Sequence, residues 1–195
     1  MAATEICLVR HGQSSHNLRK LVAGQVPSCL TAKGREDARA VAALLKDHRF
    51  DRVYSSDLRR ALQTAEVIRE SLALDCPIHI SSLLRELDYG RFTQRPVRET
   101  FAFLDYRRSR DRPYPGGEGF GELKRRAEAF AERLGSEAVG HSLLITAHAG
   151  PIRMLLVVLG AAELEDLPSL SISNRYAGAL VLDDRGRLKD YRVLG

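Results

Sequence analysis

Cysteine is scarce in this 195-residue chain: Cys7, Cys29 and Cys76 form an odd, scattered set. That set makes neither a disulfide framework nor a zinc motif, and it points to a reducing compartment. No apolar run approaches the roughly 20 residues a membrane span needs. The stretch ahead of Ile6-Cys7-Leu8-Val9 is too short for the core of a signal peptide, so a cytoplasmic location without a membrane partner is expected. There is no His-Glu-x-x-His and no carboxylate cluster suited to magnesium. Internal repeats and low-complexity linkers are missing too. A single domain over residues 1–195 is expected, able to bury roughly 70% of its unfolded surface.

Charge is plentiful. Thirty Lys and Arg oppose 25 Asp and Glu, a net +5. Between Arg91 and Arg112 lie seven arginines against Glu99, Asp105 and Asp111. Such a stretch is compatible with nucleic-acid binding, with a solvated helix face, or with an electropositive rim that draws in anionic substrates. The segment from about 91 to 119 is the candidate insertion or lid, because loops of that length in compact domains tend to be functional.

Strand and helix patterns alternate, the mark of an α/β sheet. Glu5 to Val9, Arg52 to Ser55, Pro77 to Ser81 and Leu143 to Thr146 read as strands. Thr31 caps a helix whose Ala38, Val41, Ala42 and Leu45 share a face. Asp57 is the expected cap of the next helix, with Leu58, Leu62, Ala65, Ile68 and Leu72 on one side. A longer helix carries Leu123, Ala127, Phe130 and Leu134, and Pro151 opens another over Ile152 to Leu159. The chain closes with a hairpin, Ala179–Leu182 and Leu188–Val193, turning at Asp184-Arg185-Gly186. The expected architecture is a three-layer α/β/α sandwich, its central sheet mostly parallel with a C-terminal antiparallel hairpin. That hairpin offers a pairing edge for a homodimer.

In open α/β sheets ligands bind beyond the carboxyl ends of the strands. Here those ends deliver Arg10-His11-Gly12, then Ser55-Ser56 with Arg59-Arg60, then Arg85-Glu86, then Ala147-His148-Ala149-Gly150. Each residue has an ordinary alternative as a surface or turn residue. Their convergence from four segments is what singles them out. A phosphoryl group carries negative charge on three oxygens and requires fixed donors and cations. Arginine's planar fork meets two oxygens at once. A neutral imidazole is a competent nucleophile toward phosphorus. A carboxyl group can protonate the leaving oxygen and then activate water. Gly116-Gly117-Glu118-Gly119-Phe120-Gly121 follows a proline-rich breaker rather than a strand, which argues against a dinucleotide loop.

Leu8-Val9-Arg10-His11-Gly12-Gln13-Ser14, with Asn17 three residues on, resembles the signature of the histidine phosphatase superfamily, the phosphoglycerate mutase-like proteins. Tyr54 to Ala61 resembles the family's second motif, in which the arginine directly before alanine holds phosphate; that position is Arg60. Leu84 to Gly90 is similar to the acid/base segment, which points to Glu86, and Thr146 to Arg153 to the last histidine motif, which points to His148. The resemblance spans nearly the whole chain. It implies His11 as nucleophile, Glu86 as proton donor and acceptor, and Arg10, Arg60 and His148 around the phosphoryl group. Asn17, Gly12 and Ala149 would add substrate contacts, with Gln25 and Arg85 on the substrate side. No metal and no other cofactor is implied.

Three segments depart from the family pattern: Gly24 to Thr31, Phe92-Thr93-Gln94, and Gly116 to Gly119. The catalytic set is complete while the specificity set is atypical. The expected activity is metal-independent hydrolysis of an anionic small-molecule phosphomonoester through phosphohistidine. The alternatives are a phosphoglycerate mutase-type phosphotransferase, a phosphoprotein phosphatase, or a non-catalytic module that binds a phosphorylated ligand. Nucleic acid is not an expected partner.

Overall fold

The computed structural model describes residues 3–101 and 112–195. Arg107, Arg108 and Arg110 of the arginine-rich stretch lie outside the described residues.

The interior strands are continuous apolar runs because both of their faces are covered. Along β1 (Thr4–Arg10), Ile6 and Leu8 point into one core and Cys7 and Val9 into the other. Next come a single helical turn, α1 (Ser15–Leu18), then α2 (Ala32–Leu44), β2 (Arg52–Ser56), α3 (Arg59–Ser71) and β3 (Ile78–Ser81). After them follow the short α4 (Val97–Phe101), α5 (Phe120–Glu137), β4 (Ser142–Ala147), α6 (Ala149–Val158), β5 (Ala177–Leu182) and β6 (Leu188–Val193). The strand order is β3-β2-β4-β1-β5-β6. The first four strands run parallel, while β5 and β6 are antiparallel, which is the expected mixed sheet with its terminal hairpin.

Helices α2 and α3 cover one face, packing Ala38, Val41, Ala42, Leu45, Ala65 and Ile68 onto the sheet. Helices α5 and α6 cover the other, where Phe130 meets Tyr54 edge-on at a ring separation of 5.7 Å. Truncating such a fully buried phenylalanine costs about 3–5 kcal/mol.

Two expected details differ. Asp57 does not cap α3; Leu58 takes that position with no side-chain cap. The Asp57 carboxylate instead meets the fork of Arg85 at 2.5–2.9 Å, and Ser56 Oγ accepts the Leu58 N–H at 3.2 Å. A two-pronged, charge-assisted pair outcompetes a single cap bond. Helix α6 starts at Ala149 rather than at Ile152, which places Pro151 in its first turn, where no N–H is needed. Among the described residues no helix is long and apolar enough to cross a membrane.

Candidate active site

Because β1, β2 and β4 are parallel and adjacent, their carboxyl ends open on one edge, and His11, Arg60 and His148 meet there. His11 and His148 are 3% and 0% exposed, with ring centres 5.0 Å apart. The His11 Nδ1 lies 2.8 Å from the Gly12 carbonyl. A carbonyl only accepts, so Nδ1 carries the proton and Nε2 presents its lone pair. Arg60 Nε donates to that Nε2 at 3.3 Å. Burial, reinforced by the charges of Arg10 and Arg60, holds the His11 imidazole well below the ordinary histidine range, against the raising pull of its Gly12 bond. The ring is therefore neutral at physiological pH.

Arg60 is 1% exposed, a rare state for an arginine. Its Nη2 donates to the Gly24 carbonyl at 2.7 Å and its Nη1 to Val26 at 3.3 Å. Burial pushes its pKa down to about 10, opposed by the charge of Glu86, so it stays a cation. Arg10 donates through Nη1 to the Ile172 carbonyl at 2.6 Å. Its Nε is buried without a partner among the described residues, as is Nδ1 of His148. The other His148 nitrogen, Nε2, lies 3.0 Å from Ser56 Oγ. Burial, followed by the charge of Arg60, holds His148 well below the ordinary range as well.

The loop beneath His11 depends on two glycines. A Cβ on Gly12 would come within 2.1 Å of the Gly34 carbonyl, and one on Gly34 within 2.0 Å of Gln13 O. The loop thus lies directly on the first turn of α2. In α1, the Asn17 Oδ1 accepts from Ser14 N at 3.0 Å and Ser14 Oγ at 3.1 Å, so its NH2 end remains for donation.

Glu86 follows the edge strand β3 and is half-buried. Its Oε1 accepts from Leu87 N at 3.0 Å and from Gly150 N, in the first turn of α6, at 3.1 Å. A Cβ on Gly150 would sit 2.3 Å from that oxygen, so only glycine admits the carboxylate here. The free N–H groups of a helix start favour an anion. The same turn carries Ala149 beside His148. Burial, with Glu86 next in weight, raises the Tyr89 phenol well above its ordinary pKa.

Arg85 and Gln25 are engaged with protein. Arg85 holds Asp57, and Gln25 Nε2 donates to the Glu86 carbonyl at 3.1 Å. Arg91, Arg95, Arg98 and Arg112 are exposed. Gly90, at φ +50°, and Gly117 lie back to back: a Cβ on either would come 2.3 Å from a backbone oxygen of the other's segment. Arg91 N donates to the Pro115 carbonyl at 3.0 Å and Glu118 N to Asp88 at 2.8 Å, closing the same seam. Among the described residues no three His, Cys, Asp or Glu side chains stand together as metal ligands.

Sequence reasoning passed over three groups. Asn174, just ahead of β5, donates to the His11 carbonyl at 2.8 Å and to Asn17 Oδ1 at 3.3 Å. Glu118 and Arg126 form a partly buried pair behind Glu86, at 2.8 Å. One signal was present for the last: Arg126 occupies the apolar stripe of α5, three residues after Leu123, where a charge requires a partner.

Residues 6–191 match the family model of the histidine phosphatase superfamily, branch 1. An uncharacterized phosphatase, PhoE, of Bacillus subtilis is 30% identical over 190 residues, covering 97% of this chain and 95% of that protein. A 2,3-bisphosphoglycerate-dependent phosphoglycerate mutase of a Methylobacterium species is 34% identical over 178 residues, covering 86% of each. The crystal structure of the alpha-ribazole phosphatase of Shigella flexneri superposes with a TM-score of 0.83 at 27% identity, covering 95% of this chain and 93% of that one.

Proposed function

The chain belongs to the histidine phosphatase superfamily, and from that premise we propose that it hydrolyses an anionic small-molecule phosphomonoester, without a metal ion, through a phosphohistidine on His11. One observation carries the reading: a buried imidazole, tied through Nδ1 to the Gly12 carbonyl, whose unprotonated Nε2 lies 3.3 Å from the guanidinium of Arg60. A nucleophile and a phosphate ligand thus share one point.

In the first step Nε2 attacks phosphorus and the bond to the leaving oxygen breaks. Glu86, through Oε2, gives its proton to that oxygen. The Nδ1–H···O bond to Gly12 steadies the ring as it becomes cationic. In the second step the Glu86 carboxylate takes a proton from water, whose oxygen attacks phosphorus and releases phosphate and free His11. Fixed arginine charge supplies what a metal would otherwise supply. Arg10 Nε and His148 Nδ1 are donors that phosphoryl oxygens would satisfy; a Ser56 hydroxyl donating to His148 Nε2 puts the proton on Nδ1. A mutase reading would share this first step and differ in what accepts the phosphoryl group. The half-buried Glu86, open to water, favours hydrolysis.

Phosphate release from an aryl phosphate should survive a chelator and fall at least about 10³-fold in His11→Ala. Acid-labile phosphoenzyme should be trapped in wild type and not in that variant. Full activity in His11→Ala, or its loss with chelator, refutes the reading. Isomerisation of phosphoglycerate faster than phosphate release would make the protein a mutase.

A further inference from the structure

All five N–H donors of Arg126 are taken. Nε and Nη2 grip the two oxygens of Glu118 at 2.9 and 2.8 Å. Nη1 donates to the carbonyls of Leu83 and Arg85, each at 2.9 Å, and Nη2 reaches that of Glu86 at 3.4 Å. Glu118 in turn accepts the Asp88 N–H at 2.9 Å and Gln25 Nε2 at 3.4 Å. The backbone from residue 83 to residue 88 is therefore fastened on both sides of Glu86. The fastener is one ion pair whose side chains are only 17% and 21% exposed.

A partly buried pair is weak evidence for stability, because desolvation offsets much of its attraction. Its information lies in geometry. Five polar atoms of one short segment and of Gln25 converge on two side chains, and neither has a bond to His11, Arg60 or His148. Proton transfer requires hydrogen-bond reach, and a displacement of about 1 Å costs on the order of 10²-fold.

We infer that Glu118 and Arg126 are positioning residues for Glu86 as general acid, and that they set how well the enzyme handles phosphates of alcohols, whose leaving oxygen must be protonated. The inference rests on the proposed hydrolytic reading and deepens it: the substrate class is an alkyl rather than an aryl phosphate.

The test is kcat/KM, which reports the phosphorylation step, along a series from dinitrophenyl phosphate through nitrophenyl phosphate to glyceryl phosphate. Glu86→Gln serves as reference and should lose most on glyceryl phosphate and least on the dinitrophenyl ester, whose leaving group needs no proton. Glu118→Gln should reproduce that slope, with a loss of about 10- to 100-fold on glyceryl phosphate and under about threefold on the dinitrophenyl ester. Arg126→Met should do the same where it folds; where it does not, Glu118→Gln decides. An equal loss on every ester, or none, overturns the inference, because a merely structural role would not sort substrates by leaving group. A flat series in Glu86→Gln removes the acid assignment itself, and the inference with it. A slope in Glu86→Gln with a flat Glu118→Gln removes the inference alone.

Discussion

His11 hangs from an interior strand; Glu86 rides a loop beyond an edge strand. The backbone N–H of His11 is held by sheet-like bonding to the Ala147 carbonyl at 3.0 Å, with β4 and β5 flanking β1 on either side, while its carbonyl takes the Asn174 side chain. The backbone at Glu86 is held by side chains, Gln25 and Arg126, both reaching its carbonyl. Sheet bonds between main chains are indifferent to most single substitutions. Side-chain clamps are not. One half of the site is therefore built for constancy and the other for adjustment.

The strongest way to break this contrast is with two glycines. Gly12→Ala drives its Cβ into the Gly34 carbonyl, backbone against backbone. It should destabilise the fold by at least about 3 kcal/mol, read by denaturant or thermal unfolding. Gly150→Ala meets only the flexible end of Glu86. Its stability should stay within about 1 kcal/mol of wild type while kcat/KM on an alkyl phosphate falls about tenfold or more. If both variants act alike, the two halves are not held differently.

Acid should sharpen the contrast. In the unfolded chain His11 and His148 titrate near pH 6.5, whereas folding holds both well below that. Above about pH 6.5 both states are neutral and the two imidazoles add nothing to the pH dependence. As pH falls through 6.5 the unfolded state takes up protons that the folded state refuses, so stability drops. His148→Asn should flatten that fall, measured as Tm against pH, while Glu118→Gln should leave the histidine part of it in place.

Asn174→Ala removes the donor to the His11 carbonyl. It should lower kcat/KM about tenfold on aryl and alkyl phosphates alike, because it acts on the His11 side of the site. The smallest effect belongs to Arg85→Ala. Its ion pair with Asp57 is 41% and 26% exposed, so stability should change by less than about 1 kcal/mol.

The same contrast explains what could be read from the sequence. Ile6 to Val9 and Leu143 to Ile145 announce buried parallel strands, and parallel strands commit their following residues to one edge. His11 and His148 are legible by that logic alone, whereas it leaves Arg59 and Arg60 unseparated, and the resemblance to the family's second motif is what singles out Arg60. Asp57 as a helix cap was a local inference, overturned by an arginine 28 positions away. Asn174 lies 163 positions from its acceptor and becomes visible only once β5 is known to run antiparallel to β1, which brings the residues before it to the site edge. Arg126 holds carbonyls and Glu118 holds the Asp88 N–H, and no pattern of side chains records which backbone groups will be free.

Gly90 and Gly117 lie back to back, and residues 94–97 are tied to residues 20–22 by main-chain bonds as well. Both seams consist of backbone alone, so they hold whatever side chains the neighbouring positions carry. Substitutions at the exposed Arg91, Arg95 and Arg98 can therefore rewrite the charge of that surface without loosening the ties beneath it.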